Sequence, residues 1–248
     1  MDQLIEVHGM VLGAMDLSEY DRRLVLLTQE RGKITVFARG ARKSNSRMAA
    51  IAQPFVMGTF MLYPGRDAYS LRGAEVKEYF RELAYDIYHA AYGAYFLEFA
   101  ACYSRENMDG TQLLNLIYVS LHALLKNRQN PRVTRAAFEI RAMHGEGEFP
   151  DCRYCSCCRT PLNGDGNRYL HTRGGIYCPT CFEKEPGLLL GAEELEFLKA
   201  STCGRLTALE NLDLSEDGMH TLKHMLDLHK KRCINYHFRS LDVLDALE

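Results

Sequence analysis

The chain has 248 residues, 47% apolar and 25% charged, with a formal net charge of −2; that length fits one large domain or two smaller ones around a real core. No stretch approaches the roughly 18 uninterrupted apolar residues of a membrane span, and MDQLIEVHGM has no basic segment followed by an apolar one, so neither a membrane span nor a secretion signal is expected. A near-neutral sum argues by itself against a nucleic-acid binder, but seven basic residues and no acid lie between Arg31 and Arg66, and a local basic face suffices for phosphate contacts.

Residues 1 to about 79 read as strands. Leu4 to Leu12 is rich in β-formers, Arg23 to Gln29 holds the apolar LVLL, and a Glu30-Arg31-Gly32 turn leads into Lys33 to Gly40. After a basic loop come Phe55 to Tyr63, a Pro64-Gly65 turn and Asp67 to Val76. Five short strands separated by Gly and Pro predict a small antiparallel barrel or sandwich. In the third strand Ile34, Val36 and Ala38 alternate with Lys33, Thr35, Phe37 and Arg39, and a period of two puts the two sets on opposite faces. One face is aliphatic. The other sets cations around an aromatic ring, the composition of a strand-binding platform and equally of a solvated face with one exposed Phe.

From Glu78 to Arg105 the pattern turns helical, with Tyr92, Tyr95, Phe96, Phe99 and Tyr103 at steps of three and four. That stripe is expected to pack rather than to bind a ligand. Further helices fit Gln112 to Lys126, ended by an Asn-Arg-Gln-Asn-Pro breaker, and Thr134 to His144, stopped by Gly145. After a cysteine-rich stretch from about Phe149 to Glu185, helical periodicity resumes at Glu193 to Thr202 and at Glu216 to Lys231, with Ser215 as N-cap of the latter.

Six of the nine cysteines lie between Cys152 and Cys181, and clustered cysteines in a reducing compartment point first to metal. The string CRYCSCC, 19 further residues and CPTC hold two C-x-x-C pairs. Two residues between cysteines let a tight turn direct both sulfurs at one centre, and two such knuckles make a four-thiolate site. Zinc suits it better than iron–sulfur, although rubredoxin-like iron has the same pattern. Both Cys152/Cys155 and Cys155/Cys158 satisfy the first spacing, whereas Cys178/Cys181 is unambiguous. The shorter connection favours Cys155 and Cys158, leaving Cys152 and Cys157 as spare thiols. Four thiolates leave no open position for an activated water, so the expected metal is structural.

Nothing in the sequence argues for catalysis. The glycines show neither a Walker A spacing nor G-x-G-x-x-G after a strand, there is no G-x-S-x-G, and the nine histidines form no H-E-x-x-H. His220 and His224 share a helix face, but no acidic third ligand stands at nearby spacing.

Ser18 to Arg47 (SEYDRRLVLLTQERGKITVFARGARKSNSR) and Gln53 to Val76 (QPFVMGTFMLYPGRDAYSLRGAEV) resemble the first half of the RecO DNA-repair proteins, and FPDCRYCSCC with GGIYCPTC resembles their cysteine segment. In that family a Pro precedes the first metal cysteine by five residues, as Pro150 precedes Cys155, which implies Cys155, Cys158, Cys178 and Cys181 as ligands of structural Zn2+. The resemblance further implies an α+β protein: a five-stranded OB-type β-barrel, then an α-helical domain with a zinc-ribbon-like four-cysteine insert. It also implies binding of single- and double-stranded DNA, strand annealing, RecR and the C-terminal tail of single-stranded DNA-binding protein as partners, and indirect action on RecA.

The expected organisation is an OB-fold DNA-binding domain at 1–79 and a helical domain at 80–248, with the four-cysteine zinc segment at about 149–185. Arg31, Lys33, Arg39, Arg42, Lys43 and Arg47 are expected to neutralise phosphates along the third strand and the following loop, with Phe37 stacking on bases. The Gly40 to Arg47 loop is expected to be mobile until it meets a strand. The protein is expected to be no enzyme, with no membrane partner, cytoplasmic and nucleoid-associated. The alternatives are a zinc-containing interaction scaffold that binds no DNA and a zinc-containing repair nuclease or glycosylase.

Overall fold

The computed structural model describes residues 3–126, 130–182, 185–206, 208 and 212–247; part of the expected helix breaker (127–129) and two positions of the cysteine segment (183–184) lie outside them. The chain forms two compact units, Met1–Ile117 with Phe238–Glu248, and Tyr118–His237.

In the first unit β1 (Ile5–Asp16), β2 (Arg22–Thr28), β3 (Gly32–Ala38), β4 (Met57–Pro64) and β5 (Tyr69–Glu78) close into a barrel in the order β1-β2-β3-β5-β4. The alternation in the third strand holds: Ile34, Val36 and Ala38 join Val7, Val11, Leu24, Leu26, Phe60 and Leu62 in the interior, while Lys33, Thr35 and Phe37 stay half-buried outside. Register shifts in β1 between Val11 and Gly13 and at two places in β5's pairing with β4 supply the bends that closure needs. The barrel is not wholly antiparallel. β3 and β5 meet in parallel at Val36↔Tyr69 and Phe37↔Ser70, because the short helix α1 (Arg47–Ile51) and β4 intervene and bring the chain back in the same direction.

Gly32 makes the β2–β3 turn possible. It holds φ +61°, and a Cβ there would stand 2.2 Å from the Arg105 carbonyl oxygen, so only glycine fits. The close approach covers this end of β3 with the segment after α2.

The chain does not become helical at Glu78. β5 runs through that residue, Phe80 takes φ 50°, a 3-10 turn covers Arg81–Tyr85, and α2 (Ile87–Tyr103) starts where the Asp86 side chain accepts the His89 N–H at 2.9 Å. The aromatic stripe packs as expected. Tyr95, Phe96 and Phe99 are fully buried, and α7 (Arg239–Leu247) closes over them. Phe238 stacks on Phe99 at 5.3 Å and meets Tyr95 edge-on at 5.6 Å between ring centroids. Glu98 accepts the backbone N–H groups of Arg239 at 3.1 Å and Ser240 at 2.8 Å, capping the incoming helix.

Helix α3 (Thr111–Lys126) leaves the first unit at Ile117. The second unit then contains α4 (Pro131–Gly145), the sheet β7-β6-β8 of β6 (Asn167–Leu170), β7 (Gly175–Tyr177) and β8 (Leu188–Leu190), and helices α5 (Ala192–Cys203) and α6 (Glu216–Cys233). Asn130 caps α4 and Ser215 caps α6, each side chain accepting a first-turn N–H. Glu139 of α4 is buried between Arg135 at 2.8 Å and Lys230 of α6 at 2.9 Å, so its charge is compensated twice. No helix among the described residues is long and apolar enough to cross a membrane.

Candidate functional site

The basic loop after β3 is fastened to the β1–β2 turn. The Arg42 N–H bonds the Tyr20 carbonyl at 2.9 Å, the Arg42 guanidinium bonds the Ser18 carbonyl at 2.6 Å, and the Gly40 N–H bonds the Asp21 carboxylate at 2.8 Å. Lys43 sets its ammonium over the Tyr20 ring, 5.4 Å from the centroid. These contacts tie the loop to the β1–β2 turn at Gly40, Arg42 and Lys43.

The expected track along β3 divides into two ends. At the Gly32 end Lys33 donates to the Ala101 carbonyl at 2.7 Å, a last-turn carbonyl of α2 at the negative end of that helix. Arg31 lies over the Tyr69 ring at 6.0 Å and reaches its hydroxyl at 3.5 Å. At the other end Arg39, Arg42, Lys43 and Arg47 are exposed. Asp16 holds Arg42 at 3.3 Å and Arg22 at 3.0 Å. Among the described residues no acid pairs with Arg39, Lys43 or Arg47. Phe37 faces outward beside Ser70 of β5 and opposite Arg23 of β2, which in turn stands opposite Met15 of β1. Sequence reading missed Arg23 and Tyr20. The period-two pattern marks Arg23 as outward, but only the barrel register brings it beside Phe37.

In the second unit the sulfur atoms of Cys155, Cys158, Cys178 and Cys181 all lie within 4.8 Å of one another. Cys158 and Cys178 are 3.7 Å apart, and a tetrahedral centre with metal–sulfur bonds of about 2.3 Å has edges of about 3.8 Å. Donor set and spacing fit a tetrahedral metal ion. The first knuckle forms because the Cys155 N–H bonds the Thr160 carbonyl at 2.8 Å while Arg159 takes φ 62°, turning the chain back. The second follows the β6–β7 hairpin, and the Ser156 N–H bonds the Ile176 carbonyl at 2.8 Å to hold the two together. Hydrogen bonds from the Thr160 hydroxyl and backbone bring the Cys158 thiol down to about 6. For Cys155, burial raises the pKa, but N–H groups of Cys178, Cys158 and Cys157 outweigh it and leave the thiol below its ordinary value. These donors favour the thiolate, the form a metal takes, at Cys158 and Cys155, whereas hydrogen bonds with Cys158 and Cys178 push the Cys181 thiol up.

Cys152 stands outside the cluster. It is fully buried, points to the Pro150 carbonyl at 3.4 Å, and burial pushes its thiol well up. Cys157 is exposed and also outside it. His220 and His224 are exposed on α6 and belong to no metal-competent cluster among the described residues. The cysteine segment is anchored by His229 of α6. The Tyr169 hydroxyl of β6 lies 2.7 Å from Nδ1, and Nε2 lies 2.7 Å from the Glu148 carbonyl. A carbonyl only accepts, so Nε2 carries the proton and Nδ1 accepts from Tyr169.

The chain matches the family models described as Recombination protein O N terminal, over residues 1–80, and Recombination protein O C terminal, over residues 84–242. It is 30% identical over 247 residues to the DNA repair protein RecO of Bacillus subtilis (strain 168), covering 99% of this chain and 95% of that relative. The DNA repair protein RecO of Desulforamulus reducens is 28% identical over 246 residues, again covering 99% and 95%. That of Alkaliphilus metalliredigens is 34% identical over 179 residues, 72% of each chain.

Proposed function

This chain belongs to the recombination protein O (RecO) family, and on that premise we propose that it is a DNA repair and recombination mediator. In this reading it binds single- and double-stranded DNA and anneals complementary strands. With RecR it helps load RecA onto strands coated by single-stranded DNA-binding protein, whose acidic tail it engages. It works by binding rather than catalysis, in the cytoplasm at the nucleoid. Residues 1–79 act as the DNA-binding domain and residues 80–248 as the helical domain carrying the zinc segment.

The observation that carries the reading is the exposed cation group of Arg39, Arg42, Lys43 and Arg47, which follows β3 and is tied to the β1–β2 turn. Arg39, Arg42, Lys43 and Arg47 contact phosphates, and Phe37 offers a ring to a base. Arg31 and Lys33 each spend one donor within the protein and bring their charge and remaining N–H groups to the same track. Cys155, Cys158, Cys178 and Cys181 hold zinc, which joins two knuckles of little apolar content and leaves no position for water.

Fluorescence anisotropy of a labelled single strand, titrated at several salt concentrations, tests the reading. Each phosphate contact on a single strand contributes about 0.7 to the slope of log affinity on log salt. The Arg39/Arg42/Lys43→Ala variant should therefore bind more weakly, with the slope reduced by about 2. No binding by the unaltered protein at low salt would replace the mediator by a protein-only adaptor.

A further inference from the structure

The turn to which the basic loop is fastened carries its own exposed apolar groups. Tyr20 is 46% exposed and Leu17 56%, and Met15 at the end of β1 is 60% exposed. Met15, Arg23 and Phe37 stand directly opposite one another on β1, β2 and β3. Directly opposed residues of neighbouring strands project to the same face, and Phe37 projects away from the core that Val36 and Ala38 enter. An open row thus crosses the strands at the end where Lys43 lies over Tyr20. The other end of β3 is closed by the Arg105 to Gly110 segment, whose backbone bonds Lys33 at 3.0 Å and Gln29 at 3.1 Å.

We infer that an unpaired strand crosses β3, β2 and β1 at this open end and stacks a base on Tyr20, and that this ring separates single strands from duplexes. The inference rests on the reading of the chain as a DNA-binding protein and adds to it the group that selects the strand's state. Phosphates are common to both forms of DNA, so the loop cations bind either. In a duplex each base is covered on both faces by its neighbours. Only an unpaired strand offers a free π-face to a side chain. Tyr20 suits the task better than Phe37, which is half-buried within the sheet. Lys43 lies over one face of the ring, so the base stacks on the opposite face with a cation close by, matching a nucleotide that carries its phosphate close to its base.

The test compares Tyr20→Ala and Tyr20→Phe with the unaltered protein, using a labelled mixed-sequence single strand and the same sequence as a blunt duplex, each over a salt series. Tyr20→Ala should lose about tenfold in single-strand affinity, the worth of one base–aromatic stack, with duplex affinity and both salt slopes unchanged. Tyr20→Phe keeps the ring and should bind as the unaltered protein does. A Tyr20 that merely props the loop predicts something else: equal losses on both forms of DNA, with lower salt slopes, because Lys43 and Arg42 are displaced. That result overturns the inference, as does a Tyr20→Ala variant that loses nothing on single strands. If the unaltered protein binds neither DNA, the DNA-binding reading fails and this inference with it; if it binds both and Tyr20→Ala is silent, only the inference fails.

Discussion

Single residues here divide between those available to a ligand and those already committed. The sequence pattern puts Lys33 and Arg39 on one face, yet Lys33 in β3 completes the end of α2 while Arg39, one residue past the strand, is open to solvent. Period two reveals the face and not which end another segment covers, because that depends on a contact between residues far apart in sequence. His229 is a committed residue with a measurable signature. Burial, against the pull of the Glu148 carbonyl and with help from the Arg232 charge, holds its pKa below the usual histidine value. The unfolded chain then binds the proton more readily, so the contribution is fully present above about pH 6.5 and is lost as pH falls below it. Thermal midpoints between pH 7.5 and 5.5 should fall more steeply for the unaltered protein than for His229→Gln, which lacks the titrating group. Parallel profiles would remove His229 as the cause.

At the scale of elements, the two most legible features are the strands and the two C-x-x-C pairs, and both are strictly local signals. A knuckle needs only four consecutive residues and a turn, so spacing points to Cys155/Cys158 with Cys178/Cys181 before any tertiary contact is considered. Spacing does not exclude the spare Cys152, since it satisfies C-x-x-C. It is set aside by burial against the Pro150 carbonyl, a property of the folded segment. The parallel β3–β5 pair is illegible for a different reason: it spans the α1 insertion and involves two residue pairs, too few to leave a pattern. The cysteine segment's own prediction concerns metal. Its strands are only four and three residues long in β6 and β7, short for independent stability, so removing the zinc proposed for the four-cysteine site with a strong chelator should release the hairpin. Hydrogen exchange should then show amides of β6 and β7 losing protection while barrel amides of β1 and β2 keep theirs. Unchanged protection in β6 and β7 after zinc loss would show that Tyr169 and His229 hold the hairpin without it.

At the scale of the whole molecule, the chain leaves the first unit at Ile117 and re-enters it at Phe238. No sequence periodicity announces that return, because the contacts join residues about 140 apart: Glu98 with Ser240, and Phe99 with Phe238. Helical pattern alone assigns the last residues to a helix and does not say which core they complete. The consequence is that a change near residue 238 acts on the unit containing the barrel. Phe238 is 6% exposed and lies against Tyr95 and Phe99, and truncating such a ring in a core costs about 3–5 kcal/mol. Phe238→Ala should therefore lower the protection of α2 amides against hydrogen exchange by that amount. Amides of α4 and α6 in the second unit should be unaffected, since energetic effects of separate cores are independent when no partner is shared. Loss of protection in α4 and α6 with α2 unchanged would mean that Phe238 belongs energetically to the other unit.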